Sequence, residues 1–589
     1  MASVSQEREA RTGVAVRPEP PGGRLAQWRK ALWAAACVTG LLQAWAYRHN
    51  VSSDGISYLD IARNCVQGDW HSLVNGYWSP LYPFVLSVFL RVFKPSPYWE
   101  STVTHLANLA IFVAALLCFE AFLKSLLGDT RRSQPADAEQ EALPEWALWA
   151  LGDSLFVLFM LLFIGLERVQ PDMCVAGLVF AAAAILLRIR SDGRGWASYG
   201  ALGAVLGIGY LAKAIMFPLS FVFLACCLFA AGPLRRAIPR TAFALVIFSL
   251  VASPFAFALS QAKGRITVGD TGGINYAEFV DGVTRYIHWQ GGPTGAGMPV
   301  HPTRLLIATP PLFEFAAPIR GTYPPWYDPS YWYEGVVPRF SLRNQLRAIR
   351  YTIEEYVSIL PYMSGVFVCF LAMAWFAGAR SSLWTSLWKG LLRQWPIWMP
   401  GLAALGLYGL LYVEARFVAP FFVLIWMGLF VGLRFPKSQV ARVLTTSLTI
   451  ATVLMLSVGI AWLAGRSLFR ALAPQTFTDW QVAEELHKMG IQSGESVGSM
   501  GAGLYGYWAH LAGVRIVAEI PAGGVSSYWI APPEIQSEIL QDFAGTGARV
   551  VVLDAEPPGG PRPDWKRIGG TGYFVHDLRA MSPAHEPER

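Results

Sequence analysis

Six ionisable side chains stand in or beside apolar stretches of this chain: Asp54, Asp60, Asp172, Lys213, Glu414 and Arg416. A charge kept next to a membrane-length apolar segment is costly, which makes each of them a functional candidate. A carboxylate so placed can take the proton of an acceptor. Lysine or arginine can neutralise charge that builds on a phosphate leaving group. As a set they suit transfer to an acceptor from a phosphate-linked donor. Each alone also has a plainer reading. Asp172 follows Pro171 and can cap a helix, Lys213 can snorkel to headgroups, and Glu414 can pair with Arg416. The joint reading depends on whether the chain brings them to one surface.

The elements that must do so are membrane helices. Of the 589 residues 54% are hydrophobic and only 15% are charged, against roughly 25% charged in soluble proteins. The apolar residues fall in runs that reach or approach the about 20 needed to cross hydrocarbon. Eleven spans are expected, at Ala31–Tyr47, Ser101–Leu123, Trp146–Gly165, Met173–Ile189, Trp196–Leu211, Ile215–Ala231, Ala242–Leu259, Ser358–Ala377, Pro396–Tyr412, Phe417–Leu433 and Val443–Ala464. Pro80–Phe93 is apolar too, but about 14 residues suit a re-entrant or interfacial segment better than a span. Leaving it uncrossed puts the basic clusters Arg24/Arg29/Lys30, Lys124/Arg131/Arg132, Arg188/Arg190/Arg194, Arg235/Arg236/Arg240, Arg380/Lys389/Arg393 and Arg434/Lys437/Arg442 on one side. The positive-inside rule makes that side cytoplasm. The net charge of +7 is thus a topology signal and not a nucleic-acid face. The seven cysteines make no disulfide or zinc framework.

This topology sends loops 48–100 and 260–357, the turn 167–172 and the C-terminal tail outside, together with all six candidates. Residues 1–28 are expected to be a disordered cytoplasmic N-terminus with no cleavable signal peptide. A membrane domain follows at 29–465, then a soluble extracytoplasmic α/β domain at 466–580 and a disordered tail at 581–589. Helices at Trp480–Met489 and Pro533–Phe543, with strands at Ser496–Met500, Val514–Glu519, Arg549–Leu553 and Tyr573–Asp577, are expected in the soluble domain.

The motifs carry a resemblance. Asp54-Gly-Ile-Ser-Tyr-Leu-Asp-Ile-Ala-Arg, then Gly68-Asp69, then Trp78-Ser-Pro-Leu-Tyr-Pro83 resembles the first outer loop of GT-C glycosyltransferases. The branch is glycosyltransferase family 39, which includes protein O-mannosyltransferases and aminoarabinose transferases. Gln170-Pro-Asp-Met173 resembles that group's second outer acidic motif. Gly207-Ile-Gly-Tyr-Leu-Ala-Lys213 and Glu414-Ala-Arg-Phe417 with Pro420 are similar to two further ones. The likeness covers roughly residues 30–435. The chain departs from the pattern at Trp78-Ser79, at Ala212-Lys-Ala214 and at Gly55, where a second acidic residue is usual.

The resemblance implies an α-helical polytopic membrane protein of GT-C type, with about eleven transmembrane helices and a small C-terminal α/β extracytoplasmic domain, in a bacterial inner membrane. It implies an inverting transfer of a sugar from a polyprenyl-phosphate donor to a glycan, lipid or protein acceptor, with no nucleic acid involved. Asp54 and Asp172 would be the catalytic carboxylates, and Lys213 and Arg416 would hold the lipid phosphate. Asp60, Tyr82 and Glu414 would support them. No cofactor is certain; a divalent ion, Mg or Mn, on Asp54 and Asp172 is the one left open. Two readings of other classes stand beside this one: a lipid-sugar transporter or flippase, and a non-catalytic envelope-assembly protein. A transporter should carry internal repeats with matched broken helices, and no two-half repeat is evident.

Two further features carry chemistry in outline. The outer loop holds Tyr323-Pro-Pro-Trp326-Tyr-Asp-Pro-Ser-Tyr-Trp332, with Trp289 upstream, and aromatic rings can stack on sugars. Packing of these rings at the membrane interface is the commoner reason for such a run. Gly501-Ala-Gly-Leu-Tyr-Gly506 has the spacing of a dinucleotide fingerprint between a strand and a helix. In so small an outer domain a tight strand–helix turn is the expected reading.

Overall fold

The computed structural model describes residues 21–132, 140–192, 195–283, 288–292, 296–377, 392–560 and 562–581. The disorder expected at 1–20 and 582–589, and the basic residues Arg194, Arg380 and Lys389, lie outside them. The expected disorder at 21–28 is corrected. Helix α1 already begins at Pro21, a residue that fits the first helical position because its missing N–H would have no partner there.

In chain order the helices are α1 (Pro21–Ala46), α2 (Ser53–Val66), α3 (Leu81–Phe93), α4 (Pro97–Arg132), α5 (Glu145–Phe159), α6 (Asp172–Asp192), α7 (Trp196–Ala212), α8 (Met216–Ala230) and α9 (Leu234–Lys263). There follow α10 (Thr271–Tyr276), α11 (Pro324–Tyr327), α12 (Pro329–Trp332), α13 (Leu342–Ala377), α14 (Trp395–Gly409), α15 (Ala415–Gly432) and α16 (Gln439–Leu472). Last come α17 (Thr478–Lys488), α18 (Tyr507–Ala512), α19 (Ala522–Ile530) and α20 (Pro533–Gly545). Among the described residues seven helices are long and apolar enough to cross a bilayer: α4, α5 with the π turn that extends it, α6, α9, α13, α15 and α16. The other four expected spans are α1, α7, α8 and α14, helices of 26, 17, 15 and 15 residues. The chain is a multipass membrane protein.

Side-chain contacts give the bundle two distinct faces. On one, Gln475 Nε2 donates to the carbonyl of Ala46 at 3.0 Å, and Tyr98 packs edge-on to Trp480 at 5.4 Å. The end of α1 and the start of α4 therefore lie on the same face, beside the C-terminal domain. The segment between them, which contains α3, starts and finishes on one side. On the other face Arg131 pairs with Glu145, Arg190 with Asp129 at 3.6 Å, and Arg442 with Glu141 at 2.7 Å. A two-stranded ribbon of β1 (Gln140–Ala142) and β4 (Arg434–Pro436) closes that face. Arg131, Arg190, Arg434 and Arg442, from three of the basic clusters, thus gather opposite the C-terminal domain.

The domain itself holds a larger sheet than expected. Besides β5 (Ser496–Gly501), β6 (Arg515–Pro521), β7 (Val550–Leu553), β8 (Lys566–Arg567) and β9 (Phe574–Asp577), it takes two strands from the loop 260–357. These are β2 (Arg304–Ala308) and β3 (Pro311–Glu314), and the order is β2-β3-β6-β5-β7-β9-β8. β5 runs parallel to β6 and β7, whereas β3 pairs antiparallel with β6 through Phe313 opposite Glu519. The α16 helix reaches Leu472, so the domain begins past the expected 466.

One buried polar cluster docks this domain on the membrane helices. His510 of α18 meets Asp60 of α2 through Nδ1 at 2.7 Å and Glu100 of α4 through Nε2 at 2.9 Å. Arg63 reaches Glu100 at 2.6 Å and donates to the His510 carbonyl at 2.8 Å, and the Tyr507 ring stacks on the imidazole. Burial, and then Arg63, push the His510 pKa down, but Glu100 and Asp60 outweigh them and hold it above its ordinary value. A raised value stabilises fully below the ordinary 6.5 and loses that contribution as pH rises through the folded-state value. Limited proteolysis between α16 and α17 is therefore expected to accelerate above neutral pH in the native chain. In His510→Gln it should not change over the same range; a pH-independent native rate would sink this account.

Candidate active site

Local structure explains how the candidate side chains reach one place. Ser52 caps α2 by accepting from the N–H of Gly55 at 3.3 Å, which sets Asp54 in the first turn, where the helix dipole favours a carboxylate. Gly55 is the residue at which the motif departs from the usual second acid, and the packing gives the reason. A Cβ there would lie 2.9 Å from Val169 Cβ and 3.0 Å from Val51, so only glycine lets α2 approach the turn leading to Asp172. Asp172 opens α6, again in a first turn. Lys213 follows the last turn of α7, an end that favours a cation. Gly207, in the same motif, packs its bare backbone against Val251 of α9, where a Cβ would come within 2.6 Å. Glu414 precedes α15 and Arg416 lies in its first turn, where the helix dipole opposes it.

The carboxylates offset that cost. Arg416 lies 2.6 Å from Glu414, 3.6 Å from Asp172 and 3.8 Å from Asp54, and it also donates to Gln170 Oε1. Lys213 Nζ donates to Asp172 Oδ1 at 2.5 Å and sits over the Phe417 ring at 3.7 Å. Burial pushes the Lys213 ammonium below its ordinary value, with Arg416 adding to it, against the pull of Asp172. The two catalytic candidates differ. Asp172 is 4% exposed and spoken for by two cations; Asp54 is 27% exposed and accepts from the Trp326 indole N–H at 3.2 Å.

A cavity of about 410 Å³ brings them together, within the roughly 300–1,000 Å³ of small-ligand sites. Its lining combines the charged Asp54, Asp172, Lys213, Glu414 and Arg416 with the apolar Phe217, Pro218, Leu407 and Leu411. Tyr58 lines it one turn beyond Asp54. Its phenol is held well above its ordinary pKa by burial and then by Asp54 and Asp172, so it stays a donor. Trp326 forms a wall, its carbonyl held by Trp78 Nε1 at 3.0 Å and Ser57 at 2.8 Å. Trp78, in the motif's altered position, thus anchors the aromatic loop. Gln170, Tyr58 and Trp78 were all within the motifs, but nothing in a linear string marked them as wall and anchor.

Other expected members stand elsewhere. Asp60 is not in this cavity: it accepts from the N–H and hydroxyl of Thr322 at 2.7 and 2.8 Å and from His510, a docking role. Tyr82 is buried and donates to Asn108 Oδ1 at 2.7 Å, behind Tyr58. Of the three platform tryptophans only Trp326 reaches the cavity. Trp289 lies flat against Tyr333 with its N–H on the carbonyl of Gly292, and Trp332 packs near Phe315. Trp332→Ala is expected to lower stability by about 3–5 kcal/mol, read as an earlier thermal transition of the chain in detergent. An unchanged transition would return Trp332 to the ligand side of the question.

The glycine motif is a turn. Gly501 has φ +128°, a Cβ on it would overlap the Asp554 carboxylate, and the Ala502 N–H donates to Asp554 at 2.6 Å. Glu519 crowds Gly503 at 2.5 Å from its would-be Cβ. Two carboxylates fill the place a pyrophosphate would need.

The donor set does not fit a divalent ion either. Among the described residues no three His, Cys, Asp or Glu side chains gather for a metal. Asp54 and Asp172 share Arg416, and Lys213 bonds Asp172 directly, so a dication would stand beside two fixed cations.

No protein-family model and no curated protein matches the chain. Among solved structures it is similar to ArnT from Cupriavidus metallidurans in the apo state, at 11% identity over 95% of this chain and 100% of that one, with a TM-score of 0.51. ArnT bound to undecaprenyl phosphate aligns at 12% identity over 95% and 100%, TM-score 0.40. The Archaeoglobus fulgidus oligosaccharyltransferase in complex with Zn and sulfate aligns at 14% over 89% and 67%, TM-score 0.43. Identities this low speak for fold alone, and the apo ArnT match shows it: the chain has the GT-C fold.

Proposed function

We propose that this chain is a membrane glycosyltransferase that moves a sugar from a polyprenyl-phosphate donor to an acceptor hydroxyl on the extracytoplasmic face. The observation that carries the reading is one cavity lined both by Asp54, Asp172, Arg416 and Lys213, ion-paired to one another, and by the apolar Phe217, Pro218, Leu407 and Leu411. An amphiphilic donor needs that combination: cations for its phosphate, polar groups for its sugar and an apolar wall for the start of its chain.

In this reading Asp54 is the general base. It is the more exposed carboxylate, and the Trp326 indole N–H orients it. As it takes the acceptor proton, the acceptor oxygen bonds to the anomeric carbon from the face opposite the phosphate. The bond from that carbon to the phosphate oxygen breaks, and its electron pair leaves with the polyprenyl phosphate. Arg416 and Lys213 neutralise that charge, and the sugar configuration inverts. Asp172 takes the role of a positioning residue that fixes both cations through its two oxygens. No step runs through a metal. Arg131, Arg190, Arg434 and Arg442 on the face opposite the C-terminal domain support an outward orientation of that domain and of the cavity.

Mass spectrometry of envelope glycans and lipid-linked sugars, in a deletion strain against its parent, tests the class and the substrate together. The expected result is one sugar missing from one acceptor while its lipid-linked form accumulates. Identical profiles would overturn the reading.

A further inference from the structure

Among the described residues the C-terminal domain past α16 lends no side chain to the cavity, yet it grips the segment that walls it. Phe313 and Glu314 pair with Glu519 and Ala518 of β6, and the Phe315 N–H donates to the carbonyl of Val517 at 2.9 Å. The chain meets the same edge again at Thr322, whose carbonyl accepts from the Ile516 N–H at 3.0 Å. The next residue, Tyr323, opens α11. Its carbonyl accepts from the N–H groups of Trp326 and Tyr327 at 3.1 and 2.9 Å, and Pro324 and Pro325 between them have a fixed φ. Few torsions therefore separate Tyr323 from the Trp326 indole that donates to Asp54 at 3.2 Å.

The Tyr323 side chain ends on Glu519. Its hydroxyl donates to Oε1 at 2.6 Å, and His288 Nε2 meets the same oxygen at 2.6 Å. Burial, and then Glu519, hold the phenol well above its ordinary pKa, so it keeps the proton it donates. All three residues are buried. His288 reaches the carboxylate from a left-handed backbone at φ +42°, uncommon outside glycine, with its ring 4.5 Å from that of Phe313.

A sheet edge that needed only to dock would be better served by apolar side chains. Among the described residues no lysine or arginine pairs with Glu519, and its Oε2 has no hydrogen-bond partner. Burying such a carboxylate is less favourable than burying an apolar pair of the same shape. What it adds over that pair is direction, since its oxygen fixes where the phenol points.

We propose that Glu519 of the C-terminal domain is a positioning residue for sugar transfer, fixing through the Tyr323 hydroxyl the turn whose Trp326 indole aims Asp54. The inference rests on the reading of Asp54 as the general base.

Two readouts on the full-length chain in detergent test it. The first needs no turnover: fluorine NMR of the chain labelled with fluorotryptophan, in which the Trp326 resonance is the one lost in Trp326→Phe. Tyr323→Phe and Glu519→Leu are each expected to shift or broaden that resonance. The second is transfer from the lipid-linked sugar that accumulates in the deletion strain. Tyr323→Phe is expected to lower kcat about tenfold with the donor KM unchanged, as misplacement of a catalytic group would. In a Trp326→Phe background no indole N–H remains to be aimed, and the same substitution is expected to leave kcat within about twofold. An unmoved resonance in either variant, native kcat in Tyr323→Phe, or an equal fall of kcat in both backgrounds would refute the positioning role. If the native chain transfers no sugar, the glycosyltransferase reading falls by itself, and the resonance alone decides whether Glu519 sets the place of Trp326.

Discussion

Replacing Asp54 by Asn is expected to lower sugar transfer by about a hundred- to ten-thousand-fold, the usual worth of a positioned general base, while the chain inserts and folds as before. Asparagine keeps the size of the side chain and its acceptor oxygen for the Trp326 indole, which lies 3.2 Å from the carboxylate. It removes the one thing the mechanism needs, a group that can receive the acceptor proton. The loss of charge is tolerable locally because Arg416 keeps Glu414 at 2.6 Å and Asp172 at 3.6 Å. Transfer of radiolabelled sugar from the lipid donor, beside a thermal unfolding curve in detergent, separates the two effects. Native-like transfer by Asp54→Asn would remove Asp54 from the chemistry. A collapse of the unfolding transition would make it a structural residue.

Arg416 gives the second large effect, and two substitutions divide its roles. Arg416→Met leaves carboxylates facing one another without their shared cation, and breaking a buried pair in this way costs about 3–5 kcal/mol. Arg416→Lys keeps a charge but loses the planar fork that holds Glu414 through two nitrogens and Gln170 through a third. The lysine variant is expected to fold yet transfer about 10²–10³-fold more slowly, the magnitude for one lost donor to a developing oxyanion. Steady-state kinetics should show the fall mainly in kcat, because the phosphate charge grows as the bond breaks. A lysine variant with native kcat would mean that Arg416 serves only to hold the carboxylates.

Much of this could be read along the chain, and what could not has a physical reason. The spans were legible because a bilayer demands length and apolarity that few other environments do. The expected side of every later loop turned on whether α3 crosses, and the basic clusters argued that it does not. The contacts of Gln475 with Ala46 and of Tyr98 with Trp480 agree that its flanks share a face. The soluble strands were legible from alternation; β5, for example, runs Ser496–Gly501 where Ser496–Met500 was expected. The β2–β3 hairpin, which joins the same sheet through β6, was not, since a short edge hairpin inside an aromatic loop has no period long enough to detect.

The cavity's charged residues were legible because charge is conspicuous against hydrocarbon. Their division of labour was not. Asp54 and Asp172 look alike in a string, and only exposure and partners distinguish them. Asp60 sits six residues from Asp54 on the same helix, yet helical rotation and rise carry it to a different neighbourhood, where Thr322 and His510 take up its oxygens. Trp289 and Trp332 share composition with Trp326 but not its direction.

The sheet shared between loop and tail sets a timetable for assembly. β3 ends at Glu314, and the strand it pairs with begins at Arg515, about 200 residues later. At bacterial-to-eukaryotic synthesis speeds of about 5–20 residues per second, that is an interval on the order of ten seconds or more. Throughout it the β2–β3 hairpin has an open edge, while the helices from α13 to α16 are still being threaded into the bilayer. The ribosome thus delivers the partner last, and the aromatic loop that walls the cavity waits on the tail to be fastened. A chain truncated before Arg515 would carry every charged residue of the cavity, and still lack the strand that pairs with β3 at the base of the aromatic loop.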